Sequence, residues 1–204
     1  MTKTLEPNEM TLLPDEVLKK MFPSNELFAR YGTEGKGSCF FNSVCAALNK
    51  RDYLKLTEEQ QGVVGVKFRK AFTEHLTKER WDRFKRKRKI TDPISADQVI
   101  ENFNDPTYWA NETIIKYVSD VMKLNIIFID MTAGTIYCGV RGHKSEPLIM
   151  ITWLNKSHFE PVCRVLNMSD DAKEVQLSFV FDMKNDATVV NSVMNSYQAQ
   201  CSNN

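Results

Sequence analysis

Residues 125–165 read NIIFIDMTAGTIYCGVRGHKSEPLIMITWLNKSHFEPVCRV, and this stretch decides the fold class. It holds four short runs rich in β-branched and aromatic residues: Asn125 to Asp130, Thr135 to Val140, Pro147 to Leu154 and Phe159 to Val165. Turn residues separate them, as expected of sheet strands. Upstream the hydrophobic period changes from two or continuous to 3.6. Helices before and strands after predict an α+β chain with α/β-like character, a small central β-sheet flanked by helices. Downstream, Val175, Leu177, Phe179 and Phe181 alternate, which predicts one further strand at an edge of the sheet.

The helical half is punctuated by local signals. Pro14 opens a short helix carrying Val17, Leu18, Met21 and Phe22, and Pro23 closes it. Gly35-Lys36-Gly37-Ser38 is a Gly-rich turn feeding a helix in which Phe41, Val44, Cys45 and Leu48 share a face, with Ser38 at the N-cap. Thr57-Glu58-Glu59-Gln60 fits a capping box and begins a long helix through Val64, Phe68, Phe72, His75 and Leu76, weakened at Gly62 and Gly65. Ser95-Ala96-Asp97-Gln98 is a second box, and Ile114, Ile115, Val118 and Met122 mark another helix that starts at Asp105-Pro106 or at Asn111. Three divisions follow. Residues 1–13 are expected as a flexible N-terminal arm, 14–183 as the folded domain with its extra strand, and 184–204 as a polar tail with at most a weak helix at Val189 to Met194.

With 204 residues the chain is about one and a half ~150-residue domains. The balance of 27 Lys and Arg against 26 Asp and Glu excludes a globally basic polyanion binder. No apolar run of about 18 residues suggests a membrane span, and the N-terminal residues lack the layout of a secretory signal. A cytoplasmic location, with the nucleus as a second, is the expectation. The five cysteines, Cys39, Cys45, Cys138, Cys163 and Cys201, are spread without CxxC spacing, so neither a disulfide framework nor a metal site is expected.

Cys39 is where position and chemistry coincide. A thiol in the first turn of a helix faces the positive end of the macrodipole and unsatisfied N–H groups, which favour a thiolate. The same backbone donors, at Lys36, Gly37 and Cys39, suit an oxyanion hole. The plain alternative is one more buried cysteine. A thiolate needs a base, and the chain offers His75, His143 and His158. His75 falls on the apolar face of a helix and His143 in the turn Arg141-Gly142-His143-Lys144. His158 stands at a strand edge, where a base is held rigidly, and Glu160, two residues on, shares its side of the strand and can orient the imidazole.

These residues carry a resemblance. Gly35-Lys36-Gly37-Ser38-Cys39-Phe40-Phe41-Asn42-Ser43 resembles the nucleophile turn of the ovarian tumour (OTU) family of cysteine deubiquitinases. Trp109-Ala110-Asn111-Glu112, the helix after it and Asn125 to Ile129 resemble a second block of that family, and Ser157-His158-Phe159-Glu160-Pro161-Val162 a third. The resemblance spans residues 31 to 165. It implies a papain-like OTU fold and a thiol protease that cleaves isopeptide bonds after the terminal glycine of ubiquitin. In that chemistry Cys39 is the nucleophile, His158 the general base and Glu160 the third member, without metal or cofactor. Trp109 is implied in the wall of the channel that admits ubiquitin's Leu-Arg-Gly-Gly tail; its alternative is a core aromatic anchoring the next helix. Two positions depart from the family pattern. Lys36 stands where an Asp is usual, and Glu160 is longer than the usual Asp or Asn.

The implied partner is ubiquitin or polyubiquitin, with other ubiquitin-like modifiers as further candidates; membrane and nucleic acid are not expected, and the chain is expected to be monomeric. Two rival functions follow from the same residues. One is an OTU-like pseudoenzyme that only binds ubiquitin. The other is a polyanion-binding module built on Lys85-Arg86-Lys87-Arg88-Lys89, whose plain alternative is a solvated helix face.

Overall fold

The structure is a computed structural model that describes residues 2–23, 26–137, 146–167 and 176–201. In chain order the elements are β1 (Met10–Leu12), α1 (Asp15–Met21), β2 (Leu27–Tyr31), α2 (Cys39–Leu48), α3 (Lys50–Tyr53), α4 (Glu58–Ala71), α5 (Lys78–Arg88), α6 (Ala96–Asn104) and α7 (Glu112–Met122). Then come β3 (Asn125–Asp130), β4 (Thr135–Tyr137), β5 (Leu148–Leu154), β6 (His158–Asn167), β7 (Gln176–Ser178), β8 (Val180–Phe181) and α8 (Ala187–Cys201). The fold is mixed α+β, with a central mixed sheet between helical layers.

The strands run in the order β1-β2-β6-β5-β3-β4. Among the described strands only β3 and β5 pair in parallel; β6 runs antiparallel to both β2 and β5. Both faces of the sheet are covered, which explains why NIIFID is apolar throughout instead of alternating. Ile126 and Phe128 join one core with residues of α2 and α4 to α7. Ile127 and Ile129 join the other, with residues of α1 and α8.

Capping side chains set the starts of α4, α5, α6 and α7. Thr57 and Gln60 form the complete capping box of α4, Ser95 caps α6 through Gln98 N–H at 3.2 Å, and Asn111 caps α7 through Ile114 N–H at 3.0 Å. The start of α7 is therefore Asn111, not Asp105-Pro106. α2 differs. Ser38 occupies the N-cap position without a capping hydrogen bond, and its buried hydroxyl has no partner. Burial of Phe40 and Phe41 holds this helix instead, each ring worth roughly 1.5–3 kcal/mol.

Both ends of the chain depart from expectation. Residues 2–13 are not a loose arm: β1 pairs with β2, Thr11 opposite Arg30, and Leu13 N–H bonds Phe28 O at 2.8 Å. The polar tail forms α8, which buries Val189, Val190, Val193, Met194 and Tyr197. Its Asn, Ser and Gln residues mask an apolar stripe that covers the second core. Leu177, Phe179 and Phe181 do not make one edge strand. The chain breaks at Phe179, so that β7 pairs with β6 and β8 with β5, and all three side chains are buried. Val175 lies outside the described residues, as do Cys138 and His143. Cys39, Cys45 and Cys163 are free. Cys201 is disulfide-bonded, against the expectation drawn from cysteine spacing.

Candidate active site

Cys39 is the first residue of α2 and is almost fully buried. α2 lies against the start of β6: Ser43 Oγ donates to Phe159 O at 3.0 Å, and the rings of Phe40 and Phe159 meet edge-on at 5.9 Å. Burial pushes the Cys39 thiol up to about 12. Backbone hydrogen bonds from Phe159 and Phe40 oppose that rise, and the charge of Glu34 adds to it. A thiol in this setting is neutral until a base takes its proton.

His158 opens β6, beside that backbone contact, and is buried. A Cβ built on Gly35 would lie 3.3 Å from His158 Cε1 and 3.6 Å from Nδ1. The imidazole thus presents its Nδ1 side to the turn that carries Cys39. Its other nitrogen, Nε2, has no hydrogen-bond partner and lies 3.5 Å from Glu160 Oε1. Glu160 is completely buried. Its Oε2 pairs with Arg30 Nη1 at 2.5 Å, and its Oε1 accepts Leu5 N–H at 2.7 Å. His158 therefore lies between the Gly35 turn, which leads into Cys39, and the carboxylate of Glu160.

Two of the three backbone donors expected for an oxyanion hole, those of Lys36 and Cys39, are turned inward. Cys39 N–H bonds Lys36 O at 2.9 Å, and Lys36 N–H bonds Glu34 Oε1 at 3.3 Å. The physical cause is the tight turn itself, which closes an i to i+3 bond at the entry to α2. At Gly37 a Cβ would strike Pro106 O at 2.3 Å, so only glycine lets the turn pass the 105–107 loop.

Four polar residues that the sequence reading did not single out build this turn. Glu34, buried, accepts from Asn42 Nδ2 at 3.1 Å and places a carboxylate in the turn two residues before Lys36. Gln61 Oε1 accepts Glu34 N–H at 3.1 Å. Arg69 donates to Gly37 O at 3.3 Å and to Asn102 O, and lies over the Phe41 ring. Gln61, Gly65 and Arg69 recur at i, i+4, i+8, one face of α4. That spacing was the available signal. Gly65 is small because Asn42 fills its place; a Cβ there would lie 2.2 Å from Asn42 Oδ1.

Trp109 is 43% exposed, so it is not a core anchor. It lines a cavity of about 250 Å³ with Asn111, Ile115, Trp153, Ser157 and Phe159, next to His158. His75 is exposed in the turn after α4, not on the apolar face of that helix. It lines a separate groove, with Phe72, Arg80 and Phe84. The basic run lies at the C-terminal end of α5, where Lys87 and Arg88 both pair with Asp120 and Lys85 Nζ donates to Ile94 O at 3.2 Å. Among the described residues no cluster of His, Cys, Asp and Glu is able to hold a metal ion, and no helix is long and apolar enough to cross a membrane.

The family model described as OTU-like cysteine protease matches residues 34–159, more than half of the chain. The chain belongs to the OTU family. The OTU fold is borne out by a solved structure. An ovarian tumor domain in complex with ubiquitin is similar over 86% of this chain and 89% of that one, at a TM-score of 0.53 and 14% identity. The OTUD1 OTU domain is similar over 66% of this chain and 85% of that one, at 0.48 and 14%. The viral OTU domain protease from Qalyub virus is similar over 77% of this chain and 100% of that one, at 0.42 and 15%. No curated protein matches the chain.

Proposed function

We propose that this OTU domain is a deubiquitinase, a thiol protease that hydrolyses isopeptide bonds after the C-terminal glycine of ubiquitin. The observation that carries the reading is the placement of His158, set between the turn that presents Cys39 and the buried carboxylate of Glu160. Membership of the OTU-like cysteine protease family supports it, as does a structural relative that is itself a ubiquitin complex.

In this reading the raised thiol pKa makes His158 a true general base. Nδ1 takes the Cys39 proton as the sulfur attacks the glycine carbonyl, and the tetrahedral intermediate forms. The imidazolium then donates that proton to the leaving lysine amine as the C–N bond breaks, leaving a thioester. Water, deprotonated by His158, attacks the thioester carbonyl and frees the ubiquitin carboxylate and the Cys39 thiol. Glu160 stabilises the imidazolium from the Nε2 side. The oxyanion calls on the N–H groups of Lys36, Gly37 and Cys39, so the turn must release its two internal hydrogen bonds when substrate enters. Trp109 and its cavity receive the extended tail of the substrate.

The inward-turned amides favour one second reading, a pseudoenzyme that binds ubiquitin without cleaving it. Incubation with ubiquitin carrying a C-terminal electrophile decides between them. Covalent tagging of Cys39, lost in Cys39→Ala, is expected; binding without tagging overturns the enzymatic reading. The polyanion reading has lost its main support, since Asp120 engages two of the five basic residues and a third is spent on a carbonyl.

A further inference from the structure

The segment expected to be a loose arm crosses the site instead. Leu5 donates its N–H to Glu160 Oε1 at 2.7 Å, the oxygen that also faces His158 Nε2 at 3.5 Å. Three residues on, Asn8 Oδ1 accepts from Gln61 Nε2 at 2.9 Å. Gln61 in turn holds the N–H of Glu34, whose carboxylate holds the N–H of Lys36. One short segment thus contacts the carboxylate behind the histidine and, through Gln61, the turn that presents the cysteine.

The segment is seated by its backbone. Asn8 N–H bonds Gly32 O at 3.0 Å, and Gly32 N–H bonds Glu9 O at 2.8 Å. A Cβ on Gly32 would lie 2.0 Å from the Glu6 carbonyl oxygen, so the segment lies directly on that glycine. Asn8 makes the bend with a left-handed φ of 70°, and Tyr31 Oη donates to Asn8 Oδ1 at 2.8 Å.

We propose that residues 5–9 form a strap that positions the acid–base pair, with the Leu5 amide keeping Glu160 turned toward His158 against the pull of Arg30. This rests on the deubiquitinase reading above. Guanidinium groups pair best with both oxygens of a carboxylate, yet here Arg30 holds Oε2 while the strap occupies Oε1. Without the Leu5 donor, the carboxylate rotates to give both oxygens to Arg30. His158 Nε2 then loses the nearby carboxylate oxygen, 3.5 Å away, whose charge stabilises the imidazolium. Leu5 and Arg30 are positioning residues; neither touches the reacting atoms.

The test uses the 204-residue chain carrying Leu5→Pro, which removes the N–H, beside Lys3→Pro at an exposed residue that precedes the strap. Three quantities are read: kcat and KM on a fluorogenic amide of ubiquitin's C terminus, the rate of Cys39 alkylation by chloroacetamide at pH 7, and the melting temperature. Leu5→Pro is expected to lower kcat and the alkylation rate about tenfold with KM unchanged, while Lys3→Pro matches wild type. If Leu5→Pro does not fold, a chain ligated at Ser38-Cys39 with N-methyl-leucine at position 5 removes the same hydrogen without the proline ring. Wild-type kcat and alkylation in whichever of the two folds overturns the proposal, and so does an equal loss in Lys3→Pro. A wild-type chain with neither turnover nor alkylation of Cys39 overturns the deubiquitinase reading itself. That failure shows in the parent protein, whereas failure of the strap shows only in the variants.

Discussion

Arg69 reaches from the last turn of α4 to the carbonyl oxygen of Gly37, 3.3 Å away, two residues before Cys39. The guanidinium is buried among carbonyls and rings, without a carboxylate bonded to it among the described contacts. Its task is to hold the nucleophile turn and the end of α6 together. Arg69→Met leaves both carbonyls without a donor, and each buried unsatisfied group costs about 1–3 kcal/mol. A fall in unfolding free energy of that order, with turnover reduced by more than the folded fraction, is expected from denaturant titration and kinetics on the same samples.

The cysteines separate by role. Cys39→Ala is expected to abolish cleavage of ubiquitin chains and keep ubiquitin binding, measured by gel assay and calorimetry. Cys45→Ala, at the other end of α2, is expected to retain turnover. Residual activity in Cys39→Ala near wild type sinks the assignment.

His158→Ala is expected to lower kcat by roughly 10²–10⁴-fold, the usual worth of a general base. His75→Ala is expected to match wild type, because that side chain is exposed in another groove. The opposite ranking transfers the role of base.

Glu160 carries a stability cost as well as a catalytic one. Its ion pair with Arg30 is buried on both sides, and removing one partner of such a pair costs about 3–5 kcal/mol. Glu160→Ala and Arg30→Met are each expected to lose stability on that scale, and the double variant to recover much of it. Additive losses in a double-mutant cycle show that the two do not act as a pair. Activity of the single variants is read at temperatures where each remains folded.

Alkaline pH is expected to destabilise the fold. Burial raises Cys39, Cys45 and Cys163 from 9.0 to about 12, so the folded state keeps protons that the unfolded chain releases above pH 9. That contribution is fully present below pH 9 and is lost as pH climbs through 12. At pH 10 each thiol accounts for at most about 1.4 kcal/mol. A melting temperature that falls between pH 8 and pH 10, and falls less in Cys45→Ala relative to its own value at pH 8, is the expected result.

Lys36 contributes little charge to the nucleophile. Its side chain is 86% exposed and only 3.8 Å from Glu34 Oε1, so its field is screened and partly cancelled. Glu34 is the buried charge that matters: it raises the Cys39 pKa. Glu34→Gln is expected to move the alkylation midpoint of Cys39 to lower pH, and Lys36→Asp to leave it nearly unchanged. A larger shift from Lys36→Asp reverses this ranking.

What was legible in the sequence is what short-range physics encodes. The runs Asn125 to Asp130 and Pro147 to Leu154 match β3 and, but for its first residue, β5, the capping residues Thr57 and Ser95 begin α4 and α6, and the Gly-rich turn delivers Cys39 to a helix start. Each rests on residues within one or two turns of each other. Tertiary structure alone decided the rest. β2, a strand whose neighbours are β1 and β6, gave no periodic signal strong enough to be read. Arg30 and Glu160 are 130 residues apart and Leu5 and Glu160 are 155 apart, yet both contacts fix the orientation of one carboxylate. The polar ends of the chain looked solvated because the surfaces they cover are made elsewhere: the backbone of β2 for residues 8–13, the second core for α8. Hydrogen bonds and burial across such separations depend on how the sheet is ordered. No local pattern of residues carries that order.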